Sequence, residues 1–463
     1  MSRILAIAKL TFWEGVRMRI VLVFLIVLVF VIMRMPFALR VEDTLASRLQ
    51  SFLSYGLGAL GLLLSLATVF FSCATLTTEL KECSLHLVVT KPVTRLQILL
   101  GKWLGVNLLN ILIVALCGAA IYGLAAFLKS RPEQFTRDRL NVRDVVWTAR
   151  VAATPVAPLA EIDAAAAQYV QAGIRSGQIP PERELAARVE RRSDLLRRWR
   201  VVDRGEDRVY KFAGLAPPER QDTVVQLRYK VIARPMPVDD MADVWWVFHD
   251  PQTGAPLHDP IPTRERSGQV HQFLVQAAPV VRNGEALLQV INPYDPERER
   301  TLLFEGNDSL QLLYRVGGFE ANFAKALLII LLRLALLSAV GVFFSVFVSF
   351  PVACLCAATF YVVCIGQPFW LESMGANVET PLGSQDPYGV AGPWVRALLV
   401  PVMKVAFPDF TRYDGAQALV DGEYISPGLL GWCGLHTVIR GGLLLLLPGW
   451  LIFRRREVAE VIV

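Results

Sequence analysis

Long apolar runs alternate with polar segments along this chain. A continuous run of about 18 or more apolar residues crosses the roughly 30 Å hydrocarbon core of a bilayer as one helix, because a helix satisfies its own backbone hydrogen bonds there. The pattern predicts six such helices, at residues 20–39, 52–73, 103–128, 323–348, 352–371 and 429–453. The predicted fold class is therefore an α-helical polytopic membrane protein.

The composition supports this class. Hydrophobic residues make up 54% of the 463 residues and charged residues only 19%, which is too apolar for an ordinary soluble enzyme of this length. The first apolar run differs from a secretory signal, because basic residues are spread over a long stretch before it and no small-residue cleavage site follows Met33. We therefore count this run as a membrane span.

Basic residues beside the spans predict the orientation, because Lys and Arg close to a helix end resist translocation. They precede the first span, lie between the second and third spans, and follow the last span: Arg3, Lys9, Arg17, Arg19, Lys81, Lys91, Arg95, Lys102, Arg454, Arg455 and Arg456. The expected location is the plasma (inner) membrane of a bacterium, multi-pass, with both termini cytoplasmic. The formal net charge of +6 then reflects topology and requires no nucleic-acid partner.

This topology divides the chain into three regions. Residues 1–128 hold an interfacial helix, the first three spans and a cytoplasmic loop at 74–102. Residues 129–320 form an extracytoplasmic domain inserted between the third and fourth spans. Residues 321–463 hold the last three spans and an outer loop at 372–427.

The inserted region is predicted to be an α+β domain, a β-sandwich preceded by helices. Residues 164–200 have a helical pattern divided by Pro180-Pro181, and apolar and polar residues then alternate as in half-buried strands. The strand candidates are residues 225–231, 244–248, 271–275, 286–291, 301–304 and 310–316. No cysteine lies between Lys129 and Glu320, so this region contains no disulfide.

Trp245 and Trp246 lie together in one of the strand candidates. Two interpretations stay open at this point. The pair forms part of a ligand platform, or one ring packs in the core while the other is partly exposed, as is usual for paired aromatic residues in strands. A periplasmic partner that binds through residues 129–320 is consistent with either interpretation.

Residues 3–17 are predicted to form an amphipathic helix that lies in the membrane interface. Apolar side chains fall along one side of this helix, namely Leu5, Ala8, Phe12 and Val16. Trp13 is a suitable interface anchor, and Glu14 and Arg17 lie largely on the other sides. Membrane lipid is the expected partner of this helix.

The loop between the second and third spans is predicted to be a helical elbow. Apolar residues at helical spacing continue the second span, namely Leu76, Leu80, Cys83 and Leu87. Pro92 interrupts this helix, and Thr94 to Gln97 has the form of a capping box that starts the next one. Gly101 and Gly105 form a GxxxG pattern, which is either a close contact between helices or a chance occurrence.

Several of these segments resemble the type 2 ABC permeases, an export-type family. The resemblance is carried by Thr11-Phe12-Trp13-Glu14-Gly15-Val16-Arg17-Met18-Arg19, Thr90-Lys91-Pro92-Val93-Thr94-Arg95, Leu100-Gly101-Lys102 with Gly105, Ser349-Phe350-Pro351-Val352 and Phe453-Arg454-Arg455-Arg456-Glu457. A helical outer stretch between the fifth and sixth spans adds to it. The resemblance covers both membrane regions and leaves out most of residues 129–320.

The resemblance implies the transmembrane permease subunit of an ABC-type exporter. In that family the first cytoplasmic loop docks onto a separate ATPase, so the implied ATPase contacts are Glu79, Glu82, Thr90, Lys91, Pro92 and Arg95. Two permeases, a second copy or a homologous chain, work with two ATPases. ATP and Mg²⁺ bind to the ATPases, and no cofactor is expected on this chain. The inserted domain departs from simpler members, and the substrate stays undefined.

Two other classes of function stay open. An intramembrane enzyme requires ionisable groups that converge at membrane depth, and the candidates are Arg333 and Arg440. The alternative for Arg333 is that its side chain snorkels toward the outer headgroups. The alternative for Arg440 is that the last span starts only at Val438, which places this residue near the span's end. A membrane-anchored sensor or assembly protein would bind a ligand or partner through residues 129–320.

Sequence motifs of catalysis are missing from the chain. It has no G-x-x-x-x-G-K-[ST] loop, so ATP hydrolysis is expected on the partner. It also has no HExxH, GxSxG or Cys-x-x-Cys motif, so neither a hydrolase nor a metal site has support from the sequence.

Overall fold

The computed structural model describes residues 2–38, 44–81, 93–130, 142–217, 223–236, 239–294, 300–306, 308–373, 393–411 and 414–455. The chain divides into two compact units. The helical unit comprises Met1–Trp147 and Gly318–Val463, and the sheet unit comprises Thr148–Gly317. The chain is mostly helical, and its β-sheets lie in the separate sheet unit.

The described part of the first half of the helical unit contains four α-helices and a short π-helical segment, Val142–Val146. The α-helices are α1 (Ser2–Arg17), α2 (Arg19–Ala38), α3 (Leu45–Lys81) and α4 (Arg95–Lys129). The axes of α1 and α2 are bent by 63° relative to each other across Met18. No proline interrupts α3 or α4, so each continues for about ten turns at 3.6 residues per turn.

The described part of the sheet unit contains eleven strands and three α-helices. The strands are β1 (Thr148–Ala153), β2 (Val201–Val202), β3 (Asp207–Ala213), β4 (Val224–Lys230), β5 (Ile232–Arg234), β6 (Met241–His249), β7 (Ile261–Arg266), β8 (Val270–Gln276), β9 (Glu285–Ile291), β10 (Thr301–Leu303) and β11 (Leu310–Gly318). The helices are α5 (Leu159–Arg175), α6 (Glu184–Trp199) and the short α7 (Ala277–Val280). A 3-10 turn, Pro181–Arg183, precedes α6.

The strands form three sheets around one core. Their orders are β1-β11-β4-β8, β2-β10-β5 and β3-β9-β6-β7. Inward side chains of all three sheets share the core, among them Val202, Tyr210, Leu227, Trp246 and Leu288. Successive residues of a strand point to opposite faces of its sheet, so every second residue of a strand faces the core.

All six strand candidates are confirmed, as β4, β6, β8, β9, β10 and β11. The predicted helical segment is confirmed as α5 and α6, which Pro180 and Pro181 separate. The expectation that helices precede the strands is wrong in one respect, because β1 comes before α5. The strand candidates also do not include β2, β3, β5 and β7.

The second half of the helical unit follows the sheet unit in the chain. Its helices are α8 (Phe319–Ser345), α9 (Phe350–Ile365), α10 (Gln367–Ser373), α11 (Pro393–Ala406), α12 (Gly415–Val420), α13 (Pro427–Thr437) and α14 (Leu447–Arg455). A π-helical segment, Val438–Leu446, joins α13 to α14. The helix Pro427–Arg455 is thereby continuous over 29 residues.

Among the described residues, four helices are long and apolar enough to cross a membrane, namely α3, α4, α8 and the continuous helix Pro427–Arg455. The bent pair α1 and α2 makes a fifth candidate if the two helices form one span. The predicted span at 352–371 is divided, because α9 ends after 16 residues and Gly366 separates it from α10.

Candidate functional site

One end of the helical unit brings together segments that the sequence predicts to contact an ATPase. Residues near the end of α3, the start of α4 and the ends of α8 and α14 share one buried cluster, which includes Leu76, Ile98, Leu99, Val342 and Phe453. The basic residues of these helix ends are Lys81, Arg95, Lys102, Arg454 and Arg455. We call this region the basic end.

Glu79 is paired inside the protein. Lys102 Nζ lies 2.9 Å from Glu79 Oε1 and donates a hydrogen bond of 2.7 Å to the backbone carbonyl of Thr75. Lys102 is 2% exposed and Glu79 is 17% exposed, so the ion pair is largely removed from water. The pair joins the end of α3 to the third turn of α4.

Arg95 binds the end of the last helix. Its Nη1 donates to the backbone carbonyl of Phe453 and, at 3.0 Å, to that of Arg454, and its guanidinium carbon lies 5.4 Å from the centre of the Phe453 ring. The last carbonyls of a helix lack partners within the helix and carry partial negative charge, so a cation is favourable there. Arg95 thereby joins the start of α4 to the end of α14.

The predicted capping box at the start of α4 is confirmed. Thr94 Oγ1 accepts a hydrogen bond from the backbone N–H of Gln97 at 3.3 Å. Gln97 Oε1 accepts one from the backbone N–H of Thr94 at 3.0 Å. The box satisfies two amides that otherwise lack partners and fixes where α4 begins. The other predicted contacts lie outside the described residues, namely Glu82, Thr90, Lys91 and Pro92.

The GxxxG pattern of α4 is a close contact with α1. A Cβ added to Gly105 would lie 2.6 Å from the Ala8 carbonyl oxygen and 2.6 Å from Thr11 Cβ. A Cβ added to Gly101 would lie 2.7 Å from Ile7 Cβ. These distances are shorter than van der Waals contact, so only glycine lets the two backbones approach this closely.

The buried residues on the face of α1 toward α4 are small, and the half-buried Ile7 lies beside them. The buried residues are Ala8, Thr11 and Gly15. The other members of the predicted apolar stripe lie beside this face, and Leu5 is 63% exposed while Phe12 and Val16 are half-buried. The surface of α1 therefore has three neighbouring faces. The first packs small residues against α4, the next is apolar, and the third is polar.

The predicted interfacial residues of α1 differ in exposure. Trp13 is 50% exposed and Arg17 is exposed, whereas Glu14 is half-buried. Trp13 also packs edge-to-face on Phe12, with ring centres 5.7 Å apart. An exposed tryptophan beside an apolar sector is the arrangement of an interfacial anchor.

Arg333 and Arg440 bind backbone carbonyls near the end of α11. Arg333 Nη2 donates to the carbonyl of Phe410 at 3.1 Å, and its guanidinium carbon lies 5.1 Å from the Phe410 ring centre. Arg440, in the π-helical segment, donates from Nη2 to the carbonyl of Lys404 at 2.7 Å. Each arginine therefore has a local structural partner, which offsets part of the cost of placing it among apolar helices.

Gln367 is a third donor to the same segment. Its Nε2 donates to the carbonyl of Phe407 at 2.6 Å and to that of Met403 at 3.3 Å, and the residue is 4% exposed. We call residues 403–410 the α11 end. Side chains from α8, α10 and the π-helical segment thus all donate to backbone carbonyls of the α11 end, one of which, that of Met403, also accepts from the Phe407 backbone N–H.

The tryptophan pair of the sheet unit has one core ring and one exposed ring. Trp246 is fully buried and its Nε1 donates to Thr263 Oγ1 at 2.8 Å, whereas Trp245 is 40% exposed. This arrangement confirms the second interpretation of the pair. Within the described ranges, no group of three His, Cys, Asp or Glu side chains is placed to hold a metal ion.

Two comparisons of the sequence with known proteins give no match. No protein-family model matches the chain, and no curated protein is significantly similar to it. The resemblance to type 2 ABC permeases therefore depends on the short motifs and their order.

Proposed function

We propose that this chain is the transmembrane permease subunit of an ABC-type exporter, driven by ATP hydrolysis on a separate cytoplasmic chain. The observation that carries the proposal is the connection of three helices at the basic end. Lys102 joins α3 to α4 through Glu79, and Arg95 joins α4 to α14. A partner that pushes on the loop between α3 and α4 would therefore move all three helices together.

The distribution of basic residues supports the orientation in this proposal. The ends of α3 and α14 and the start of α4 carry basic residues and share one buried cluster, as the positive-inside rule requires of cytoplasmic helix ends. Four long apolar helices support a position in the membrane. In the proposal, α2 and the pair α9 and α10 complete six spans, both termini are cytoplasmic and the sheet unit is extracytoplasmic.

The proposal requires three kinds of partner, namely ATPases, a second permease and membrane lipid. Two ATPases bind ATP and Mg²⁺, and a second permease, identical or homologous, completes the dimer. Membrane lipid contacts α1 through its apolar sector and Trp13. The substrate is unidentified, and the sheet unit is the region in which this chain departs from simpler permeases.

The test is co-purification of the tagged chain in mild detergent, with bound proteins identified by mass. Glu79 and Arg95 are poor positions for variants, because each stabilises the basic end. Lys81 is exposed, has no ion pair within the described residues, and lies next to the loop. We therefore compare wild type with a Lys81→Glu, Lys91→Glu variant.

A matched control carries Arg175→Glu and Arg188→Glu, two exposed positions in the sheet unit. The proposal expects a P-loop ATPase with wild type and with the control, and at least a tenfold loss with the loop variant. Wild type without an ATPase overturns the permease assignment and favours the membrane-anchored sensor or assembly protein. If the ATPase is recovered equally with all three forms, the permease assignment stands, but the loop between α3 and α4 is not the ATPase contact.

A further inference from the structure

One edge of the sheet unit offers free backbone groups. Among the described strands, β8 is the last of its sheet and pairs with β4 alone. The N–H of Ala277, directly after β8, donates to the Thr223 carbonyl at 2.8 Å, which marks the residues of this segment that face β4. Because such bonds alternate along an antiparallel strand, every second residue points away from β4, namely Val270, Gln272, Leu274 and Gln276. Their N–H groups have no acceptor within the described residues.

The sequence of β8 also differs from those of the other sheet edges. Free edges pair readily with other chains, and proteins block them with charges, proline, short length or a covering segment. β7 has Pro262 and three charged residues, β2 and β5 have only two and three residues, and β1 is largely buried. At β3, the Lys211 carbonyl accepts from the Val156 N–H at 2.8 Å. β8 contains neither a proline nor an Asp, Glu, Lys or Arg, and Val270 is 63% exposed, so this edge is open to pairing.

A second copy of β8 can pair all four outward residues at once. The strand has seven residues, and the backbone groups of its middle residue, Phe273, face β4. A two-fold axis beside Phe273 places Gln272 opposite Leu274 of the second copy, and Val270 opposite Gln276 of the second copy. Outward residues that oppose each other exchange N–H to carbonyl bonds in an antiparallel pair. The free edge is therefore complementary to itself.

The side chains across such a pair are compatible as well. Phe273 would lie opposite Phe273 of the second copy, and aromatic cross-strand pairs stabilise a sheet. Phe273 and Val275 pack on the core but are only partly buried, so the second copy would cover apolar surface of both. Like charges oppose each other nowhere in the pair, because β8 carries no Asp, Glu, Lys or Arg.

An identical chain fits this edge better than a strand of a different protein. Selection of one strand among many depends on charges or steric features that reject the others, and β8 presents no charge for this purpose. An identical strand needs no such selection, because the two-fold axis matches its length and sets its register.

We propose that β8 pairs antiparallel with β8 of a second copy of this chain, so that their two sheets join edge to edge into one continuous sheet. The register is centred on Phe273. This inference does not depend on the permease assignment, because it rests only on residues of the sheet unit. Its failure would leave the co-purification of an ATPase unaffected.

Cysteine cross-linking of the full chain tests this register. One tagged form carries Gln272→Cys, a differently tagged form carries Leu274→Cys, and both are co-expressed and oxidised in membranes with copper phenanthroline. In the proposed pair these positions have Cα atoms about 5.5 Å apart, within the range that a disulfide spans. Two copies of either variant alone place their cysteines about 8 Å apart, beyond that range. The linked dimer should therefore form at least about fivefold more in the mixed pair than in either variant alone.

Gln276→Pro tests whether the backbone of β8 makes the contact. The Gln276 N–H points outward, and its φ of −63° is the value that proline prefers, so the change fits the single chain. It removes the hydrogen bond to Val270 of the second copy and places a ring at the edge. The cross-link of the mixed pair should fall at least about fivefold with Gln276→Pro and stay unchanged with the control Gln276→Ala. Circular dichroism checks that both variants keep the fold.

Several results would overturn the proposal. The mixed pair could give no cross-link, either variant alone could give as much, or Gln276→Pro could leave the cross-link unchanged. A disulfide-linked product that contains a different protein would assign the edge to another chain and would overturn it as well. Mass spectrometry of the linked peptides distinguishes these results, because the native cysteines lie outside residues 129–320.

Discussion

Lys102 Nζ lies 2.9 Å from Glu79 Oε1, at a point where Lys102 is only 2% exposed. Removing an ammonium group from water is unfavourable unless an opposite charge and hydrogen-bond acceptors replace the solvent. Glu79 and the Thr75 carbonyl supply both here. The contact therefore stabilises the basic end only while both charged partners are present.

Glu79→Gln is expected to lower the free energy of unfolding by about 3 kcal/mol, because it leaves the Lys102 charge buried without its partner. The double variant Glu79→Gln, Lys102→Met should recover most of that loss, since no uncompensated charge remains. Chemical denaturation of the full chain in detergent measures both. A double variant less stable than the single variant would contradict this account. It would show that the ion pair stabilises the fold by more than the neutralisation of the buried Lys102 charge.

Gly105→Ala tests the contact between α4 and α1. The new methyl group would lie 2.6 Å from two atoms of α1, and such overpacking costs about 1–3 kcal/mol. Gly123→Ala is the matched control, because a Cβ at Gly123 meets no atom within 4 Å. The control should gain up to about 1 kcal/mol from helix propensity. Equal thermal stability of the two variants would mean that α1 is not packed against α4 as described.

Much of the sheet unit follows from its local sequence. Six strands are predictable, because apolar and polar residues alternate in strands such as β4 and β9, and because β6 contains a short run of β-branched and aromatic residues. β7 is different, since Pro262 and three charged residues make it resemble a loop. Among the described strands it lies at a sheet edge and pairs with β6 alone, and that pairing, rather than its own composition, makes it a strand.

The candidate site was predictable only where its contacts are local. The Thr94 and Gln97 capping box spans four residues and has a recognisable sequence form. The partners of Arg95 and Arg440 are backbone carbonyls distant in sequence, and such acceptors have no sequence signature. The sequence could have indicated Gln367 as a site residue, because a glutamine within a predicted membrane span requires a hydrogen-bond partner.

Gln367→Leu and Arg440→Met are each expected to loosen the α11 end. Gln367→Leu leaves the part-buried Phe407 carbonyl without its side-chain donor, which costs about 1–3 kcal/mol, and Arg440→Met removes the more exposed donor of the Lys404 carbonyl. Hydrogen–deuterium exchange of peptides from residues 393–411 should rise several-fold in both variants. Arg455→Met, at an exposed arginine near the end of α14, is the control and should leave that segment unchanged. Unchanged exchange in all three variants would contradict the described contacts.

Tyr210 connects the strands of the sheet unit to α6. It is 1% exposed in the core, and its hydroxyl donates to the Trp199 carbonyl at 3.3 Å. Burial raises the pKa of Tyr210, because the phenolate would lose its hydration there. The folded state therefore retains the phenol proton at a pH at which the unfolded chain releases it.

This difference predicts a loss of stability of the sheet unit in alkali. Below the unfolded tyrosine pKa of about 10 both states hold the proton, and above it only the unfolded state loses it, so stability falls by up to about 1.4 kcal/mol per pH unit. Ala286→Cys places the only thiol of residues 129–317 in the core, and mass spectrometry follows its labelling by maleimide. From about pH 10 upward, the labelling rate should rise less steeply with pH when Tyr210→Phe is added, whatever the constant effect of losing the hydrogen bond to Trp199. Tyr294→Phe, at a 72% exposed site, is the control and should leave the pH dependence unchanged. An equal change of slope in both variants would show that the effect is not caused by the buried phenol.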